Sequence, residues 1–119
     1  MPAGELTPTD RHAVDRAIRD AEQSCRFEFS VFVGRAQGEP REFAQRLHHA
    51  SVAPDRSVLV LVDDRARVVE VVTGEVVRRR LSDNEVDLAL LQMRADFAEG
   101  DLVGGLTRGI AQLAEHARS

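Results

Sequence analysis

The sequence predicts an α/β fold: a small mixed β-sheet flanked by helices on both faces, a three-layer sandwich. Three observations carry this. The run Ser57-Val58-Leu59-Val60-Leu61-Val62 is continuously apolar after its first residue, the pattern of a central strand covered on both faces. The acidic turn Asp63-Asp64-Arg65-Ala66 leads into a second valine-rich run, Arg67 to Thr73, so the two runs form an antiparallel hairpin. A helical segment separates the first strand, Phe27 to Val33, from the central one, which makes that pair parallel with a right-handed crossover.

Taken in order, the first helix starts at Thr7-Pro8-Thr9-Asp10, with Thr7 as N-cap, Pro8 at the first helical position and an acid near the positive end of the helix dipole. Ala13, Val14, Ala17, Ile18 and Ala21 recur at helical spacing, so this helix spans about 8–24. In the strand at 27–33, Phe27, Phe29, Val31 and Val33 face one way and Phe32 the other, so both faces are covered. Gly34 to Pro40 is a loop with Gly34, Gly38 and Pro40 as breakers. A second helix spans 41–51, with Phe43, Ala44, Leu47 and Ala50 inward. The hairpin strands occupy 57–63 and 67–73, and Gly74 ends the second. Ser82-Asp83-Asn84-Glu85 is a capping box that opens a third helix at 83–98, with Val86, Ala89, Leu90, Met93 and Phe97 buried. Gly100 ends it, and Asp101 caps a fourth helix at 101–117. Gly104, Gly105 and Gly109 weaken that helix by about 1 kcal/mol each relative to alanine. The expected return is close backbone packing against the sheet or the third helix.

The length of 119 residues suits one domain, 1–119. No apolar run reaches the roughly 20 residues of a membrane span. Met1-Pro2-Ala3-Gly4-Glu5 lacks the basic and apolar stretches of a signal peptide. Cys25 is the one cysteine and cannot form an internal disulfide, so a reducing, cytoplasmic compartment is expected. All sixteen basic residues are arginine, and Tyr and Trp are absent, a composition of GC-rich, actinobacterial type. The net charge is −4 with both signs interspersed. That disfavours general binding to nucleic acid and leaves a protein as the expected partner.

Three motifs carry a family resemblance. Asp55-Arg56-Ser57 precedes the apolar run Val58 to Val62, where the family commonly has Asp-Asn-Gly. Gly74-Glu75-Val76-Val77-Arg78-Arg79, then Arg80 and Leu81-Ser82-Asp83, stand where it has Gly-Tyr-Gly-Leu-Glu-Gly followed by Leu-Thr-Asp. Phe97, Gly100, Asp101, Gly105 and Leu106 match Phe-Arg-x-Gly-Asp-Tyr-x-x-Gly-Leu at its spacing. On these residues the chain resembles the TPM domain, named for a thylakoid lumen protein, a photosystem II repair protein and a modulator of acetylcholine receptors. The resemblance covers Ala17 to Ala114. The sequence departs from the pattern at Glu75 (for Tyr), Val76 (for Gly), Arg78 (for Glu), Ala98 (for Arg) and Leu102 (for Tyr), which marks a divergent branch. The resemblance implies a TPM-like sandwich. Some of its members are reported to bind calcium or to have phosphatase activity, and others act as accessory or assembly factors, often tethered to membranes.

That resemblance makes Asp55 and Asp101, with Glu75, the candidate ligands for Ca²⁺ or Mg²⁺; calcium wants six to eight oxygens. The competing reading gives Asp101 to capping and Asp55 to a turn, and a cation at Arg78 repels another. Arg78-Arg79-Arg80 is the densest charge run, a candidate for binding phosphate, an anionic headgroup or an acidic protein surface. No aromatic residue interleaves with it, which argues against stacking on bases. Asp63 and Asp64 read as a solvated turn leading into a hairpin. His48 and His49 point about 100° apart on one helix and read as surface or boundary residues. His12 and His116 lack an evident partner. Cys25 reads as a half-buried residue at a helix end.

No Ser-His-Asp elbow, Walker loop or GxGxxG is present. The expectation is a non-catalytic interaction or accessory module. The alternatives are a weak divalent-metal-dependent phosphatase using Asp55 and Asp101, and anion-dependent docking through Arg78 to Arg80.

Overall fold

The computed structural model describes residues 6–118, so the expectation about Met1 to Glu5 lies outside the described residues. Seven main elements follow in order: α1 (Pro8–Cys25), β1 (Glu28–Val33), α2 (Pro40–His49), β2 (Ser57–Asp63), β3 (Val68–Thr73), α3 (Asp83–Ala98) and α4 (Leu102–Ala117). Short 3-10 turns at Pro54–Arg56 and Val77–Arg79 flank the hairpin. The sheet order is β1-β2-β3, with β2 central. β1 runs parallel to β2, pairing Phe29 with Val58, and β3 runs antiparallel, pairing Val60 with Val71.

Every residue of β2 is buried, as its unbroken apolar run requires. Its alternate side chains serve two cores. Val58, Val60 and Val62 join Phe29, Val69 and Val71 beneath α1, α3 and α4. Leu59 and Leu61 join Val72 and Ala44 beneath α2, where Phe32, Phe43 and Leu47 close the layer. Phe32 and Phe43 meet edge to face at 5.3 Å. Arg41 ties α2 across β3 by donating to the Val71 carbonyl at 2.7 Å and pairing with Glu70 at 3.2 Å. Each large apolar side chain buried this way contributes about 1.5–3 kcal/mol.

The caps are built as their residue types demand. Thr7 accepts from the backbone N–H of Asp10 while Asp10 accepts from that of Thr7. Ser82 and Glu85 make the same reciprocal box on α3. Six boundaries shift by one or two residues from expectation, three of them at α2 and β3. Pro40 belongs to α2, at its first turn, because Glu39 supplies the N-cap by accepting from the Glu42 N–H; proline is at home there. That helix stops at His49, and the Ser51 hydroxyl lies beyond it, donating to the His48 carbonyl. Arg67 lies in the hairpin turn with φ +57, not in β3.

Candidate functional site

The two ends of the sheet differ in chemistry. At the carboxyl end of β2 a half-open cleft of about 1010 Å³ lies between the hairpin turn, the α3–α4 junction and the first turn of α1. Crevices outside the carboxyl ends of strands are the general ligand position in open α/β sheets. Val62, Val68, Phe97 and Leu102 form apolar wall, and Asp10, Asp63, Asp64, Asp101, Arg65, Arg67 and Arg94 supply its charge. The hairpin turn therefore forms one wall of this end and does not close it.

Asp63 is not the solvated turn residue its neighbours suggest. It is 4% exposed, and its two oxygens accept from the Ala66 N–H at 3.1 Å and the Ala36 N–H at 2.9 Å. One carboxylate thus fixes both the hairpin turn and the loop after β1. Asp64 is half-buried beside it.

Asp101 caps α4 by accepting from the Gly104 N–H at 2.9 Å. Arg108, about two turns further on, donates to it at 2.9 Å and to Asp96 at 3.2 Å. The Arg108 hydrogen bond first, then the Gly104 N–H, hold the Asp101 carboxyl below its ordinary range. Asp101 already has a guanidinium and a helix end as partners.

The opposite end of the sheet holds the other candidates. Asp55 lies in the 3-10 turn before β2; its carbonyl accepts from the Val76 N–H at 3.0 Å, which brings Glu75 into the same neighbourhood. Gly74 threads between them: a Cβ there would clash with the carbonyl oxygens of Pro54 and Asp55. Arg78 donates to the Thr73 carbonyl. The Arg56 and Arg80 guanidiniums stand over the ring of Phe27 at 5.0 and 5.7 Å, and Arg56 also donates to the Arg26 carbonyl at 3.2 Å. Arg26, Arg56, Arg78, Arg79 and Arg80 are all exposed. Among the described residues none of the five is in an ion pair.

The structure therefore separates the residues proposed to hold one metal. The seven residues of β2 span about 20 Å and the sixteen of α3 about 24 Å, and both intervene between Asp55 with Glu75 and Asp101. The three cannot share an ion. Among the described residues no group of three or more His, Cys, Asp or Glu side chains is placed to hold one.

Two further residues have structural duties. His48 is buried, at 9% exposure, and donates from Nε2 to the Ser57 carbonyl at 2.9 Å, joining α2 to the start of β2; the expectation of a surface or boundary residue does not hold for it, while His49 is exposed. Cys25 is 2% exposed, fully rather than half-buried, and burial pushes its thiol up, away from the nucleophilic thiolate. Sequence reasoning missed the grouping of Arg65, Arg67 and Arg94, since the first two come from the hairpin turn and the third from α3, with no local pattern linking them.

The chain matches the model of a domain of unknown function, DUF5130, over residues 4–114. The uncharacterised protein Rv2468c of Mycobacterium tuberculosis is 28% identical over 105 residues, covering 88% of this chain and 63% of that protein. The chain thus spans 63% of the length of the curated relatives it matches. Among solved structures, the BA42 protein of the psychrophilic bacterium Bizionia argentinensis superposes with a TM-score of 0.83 at 21% identity, covering 98% of this chain and 84% of that one. The N-terminal domain of a protein from P. gingivalis gives 0.80 at 19% identity over 96% and 77%. That of a Corynebacterium glutamicum protein gives 0.77 at 16% over 97% and 76%. These likenesses establish the three-layer fold.

Proposed function

The chain belongs to the DUF5130 family, a domain of unknown function, and we propose that it is a non-catalytic interaction module docking onto an acidic protein surface through the arginine-bearing end of its sheet. The observation that carries this reading is the pair of guanidiniums, Arg56 and Arg80, stacked over one phenyl ring beside exposed Arg78 and Arg79. Cation–π contact limits the rotamers of both side chains, so less freedom is lost when they meet a carboxylate. Guanidinium forks bind carboxylates in two-pronged fashion. Phe27 is 2% exposed, so its ring lies beneath the arginines and offers no face to a nucleobase. With a net charge of −4, this favours protein carboxylates over a nucleic-acid backbone. The accessory-factor role implied by the TPM-like motifs at Phe97 to Leu106 supports the same reading. Phosphate-ester hydrolysis with Ca²⁺ or Mg²⁺ needs converging carboxylates, and Asp55 and Asp101 stand at opposite ends of the sheet.

The test is fluorescence anisotropy with a labelled Asp/Glu-rich peptide. Wild type should bind at low ionic strength and weaken steeply with salt. Arg56→Glu/Arg80→Glu should weaken binding about tenfold or more, and Arg78→Glu/Arg79→Glu, which leaves the Phe27 contacts in place, should weaken it in the same direction. Salt-independent binding, or equal binding by both variants, would reject the proposal.

A further inference from the structure

We infer that the outer face of α3 is a self-association surface, on which two copies of this chain pair with their α3 helices antiparallel. This face lies apart from the arginine-bearing end of the sheet and does not rest on that reading. Among the described residues the large apolar side chains left exposed are Val52, Leu88 and Leu91. Val52 stands alone in a loop, whereas Leu88 and Leu91 are one turn apart on α3, at 52% and 62% exposure. The inner face of α3 already fills the core through Val86, Ala89 and Met93, so the leucines belong to a second apolar stripe. That stripe continues in exposed Ala95 and Ala98. Leu88, Leu91, Ala95 and Ala98 keep the alternating three- and four-residue spacing of a helix-pairing seam. At about 100° per residue, all of them lie within roughly 60° of Leu91. Exposed apolar stripes of this kind mark contact surfaces.

Charge decides what covers the stripe. Asp87 and Arg94 flank the two leucines along the same side of the helix, one before them and one after, and both are exposed. Among the described residues neither forms an ion pair, while Glu85 and Asp96, nearer the margins, are engaged by His116 and Arg108. A second α3 running the opposite way, with a two-fold axis between Leu88 and Leu91, sets Leu88 of each copy against Leu91 of the other. The same axis brings Arg94 of one copy within about 3 Å, measured along the helix, of Asp87 of the other, and symmetry makes that pair twice. Parallel pairing would put Asp87 beside Asp87 and lay two helix dipoles in the same direction. The face is therefore complementary to itself, which identifies a second copy as its occupant. A helix face about 24 Å long and about 10 Å wide buries less than the roughly 1,200 Å² of stable complexes. The dimer is thus a weak one, half formed at on the order of 0.1 mM.

The experiment is sedimentation equilibrium of the full chain over a concentration series reaching about 1 mM, with charge swaps at the two flanking positions. Wild type should rise reversibly from the mass of one chain toward that of two. Asp87→Arg and Arg94→Asp each set like charges across both contacts, and each should weaken association about tenfold. An equimolar mixture of these two variants restores opposite charges at both contacts, as does Asp87→Arg/Arg94→Asp, so both should associate about as wild type does. Leu88→Glu/Leu91→Glu should abolish the dimer. A wild type that stays a monomer at about 1 mM, whether its face takes another protein or none, would overturn the inference. So would single swaps that associate like wild type, a mixture that associates no better than its components, or a dimer that survives Leu88→Glu/Leu91→Glu.

Discussion

Gly74 shows how one residue can fix a junction. Its N–H donates to the Ser57 carbonyl at 3.0 Å, and the carbonyls of Pro54 and Asp55 press against the position a Cβ would take. The obstruction is backbone, so it cannot rotate away. Gly74→Ala should therefore destabilise the chain by about 3 kcal/mol, at the upper end of overpacking costs, measurable as a shift in urea midpoint at unchanged m-value. A shift within about 0.5 kcal/mol, as at ordinary surface positions, would show that the junction is slack. The sequence marks Gly74 as a strand end, but the reason for glycine is a contact with a segment nearly twenty positions away. Asp63 and His48 were misread for the same kind of reason. Each looks like a surface residue beside its polar neighbour, and each is buried by a hydrogen bond to a distant main chain.

At the scale of elements, the helix ends are carried by carboxylates, and this gives them a pH dependence. The Ser82 N–H first, then the Ser82 hydroxyl, lower the Glu85 carboxyl; Arg108 and the Gly104 N–H lower that of Asp101. A folded-state value below the unfolded one contributes stability that is complete above the unfolded value and is lost as pH falls through the folded one. Melting temperature should thus decline below about pH 4.5, the ordinary glutamate value. Glu85→Gln and Asp101→Asn should lower it at neutral pH and flatten that acid limb. An acid limb identical to wild type in both variants would remove the caps as its cause. These elements were legible because their signals are local: Thr7-Pro8, the box at Ser82, the period of Val86 to Phe97. Two of the three glycines of α4 were legible too, Gly104 meeting only the Asp101 side chain. Gly105 lies against Phe97 and Asp96, and Gly109 against Met93, the close packing on α3 that their cost in helix propensity anticipated. Nothing in the sequence marks Arg67 as left-handed, so its place in the turn and not in β3 is visible only in the fold.

At the scale of the molecule, the unbroken β2 run and the helix between β1 and β2 are enough to specify three layers, and the structure has them. Site geometry was less accessible. The TPM-like motifs suggest that Asp55, Glu75 and Asp101 converge, yet a strand and a helix hold Asp101 at the far end of the sheet. Motif spacing records distance along the chain, and only the direction of β2 and α3 decides which end each acid occupies. The arginine end was half visible as Arg78 to Arg80; Arg56 and its shared contact with Phe27 required the fold. The most direct test of the docking proposal is to map the footprint of an acidic peptide by amide shifts on the ¹⁵N-labelled chain. The proposal predicts shifts confined to Arg26, Phe27, Arg56 and residues 77–81, fading with salt. Shifts centred on the hairpin turn and the α3–α4 junction, or no salt-sensitive shifts at all, would contradict it.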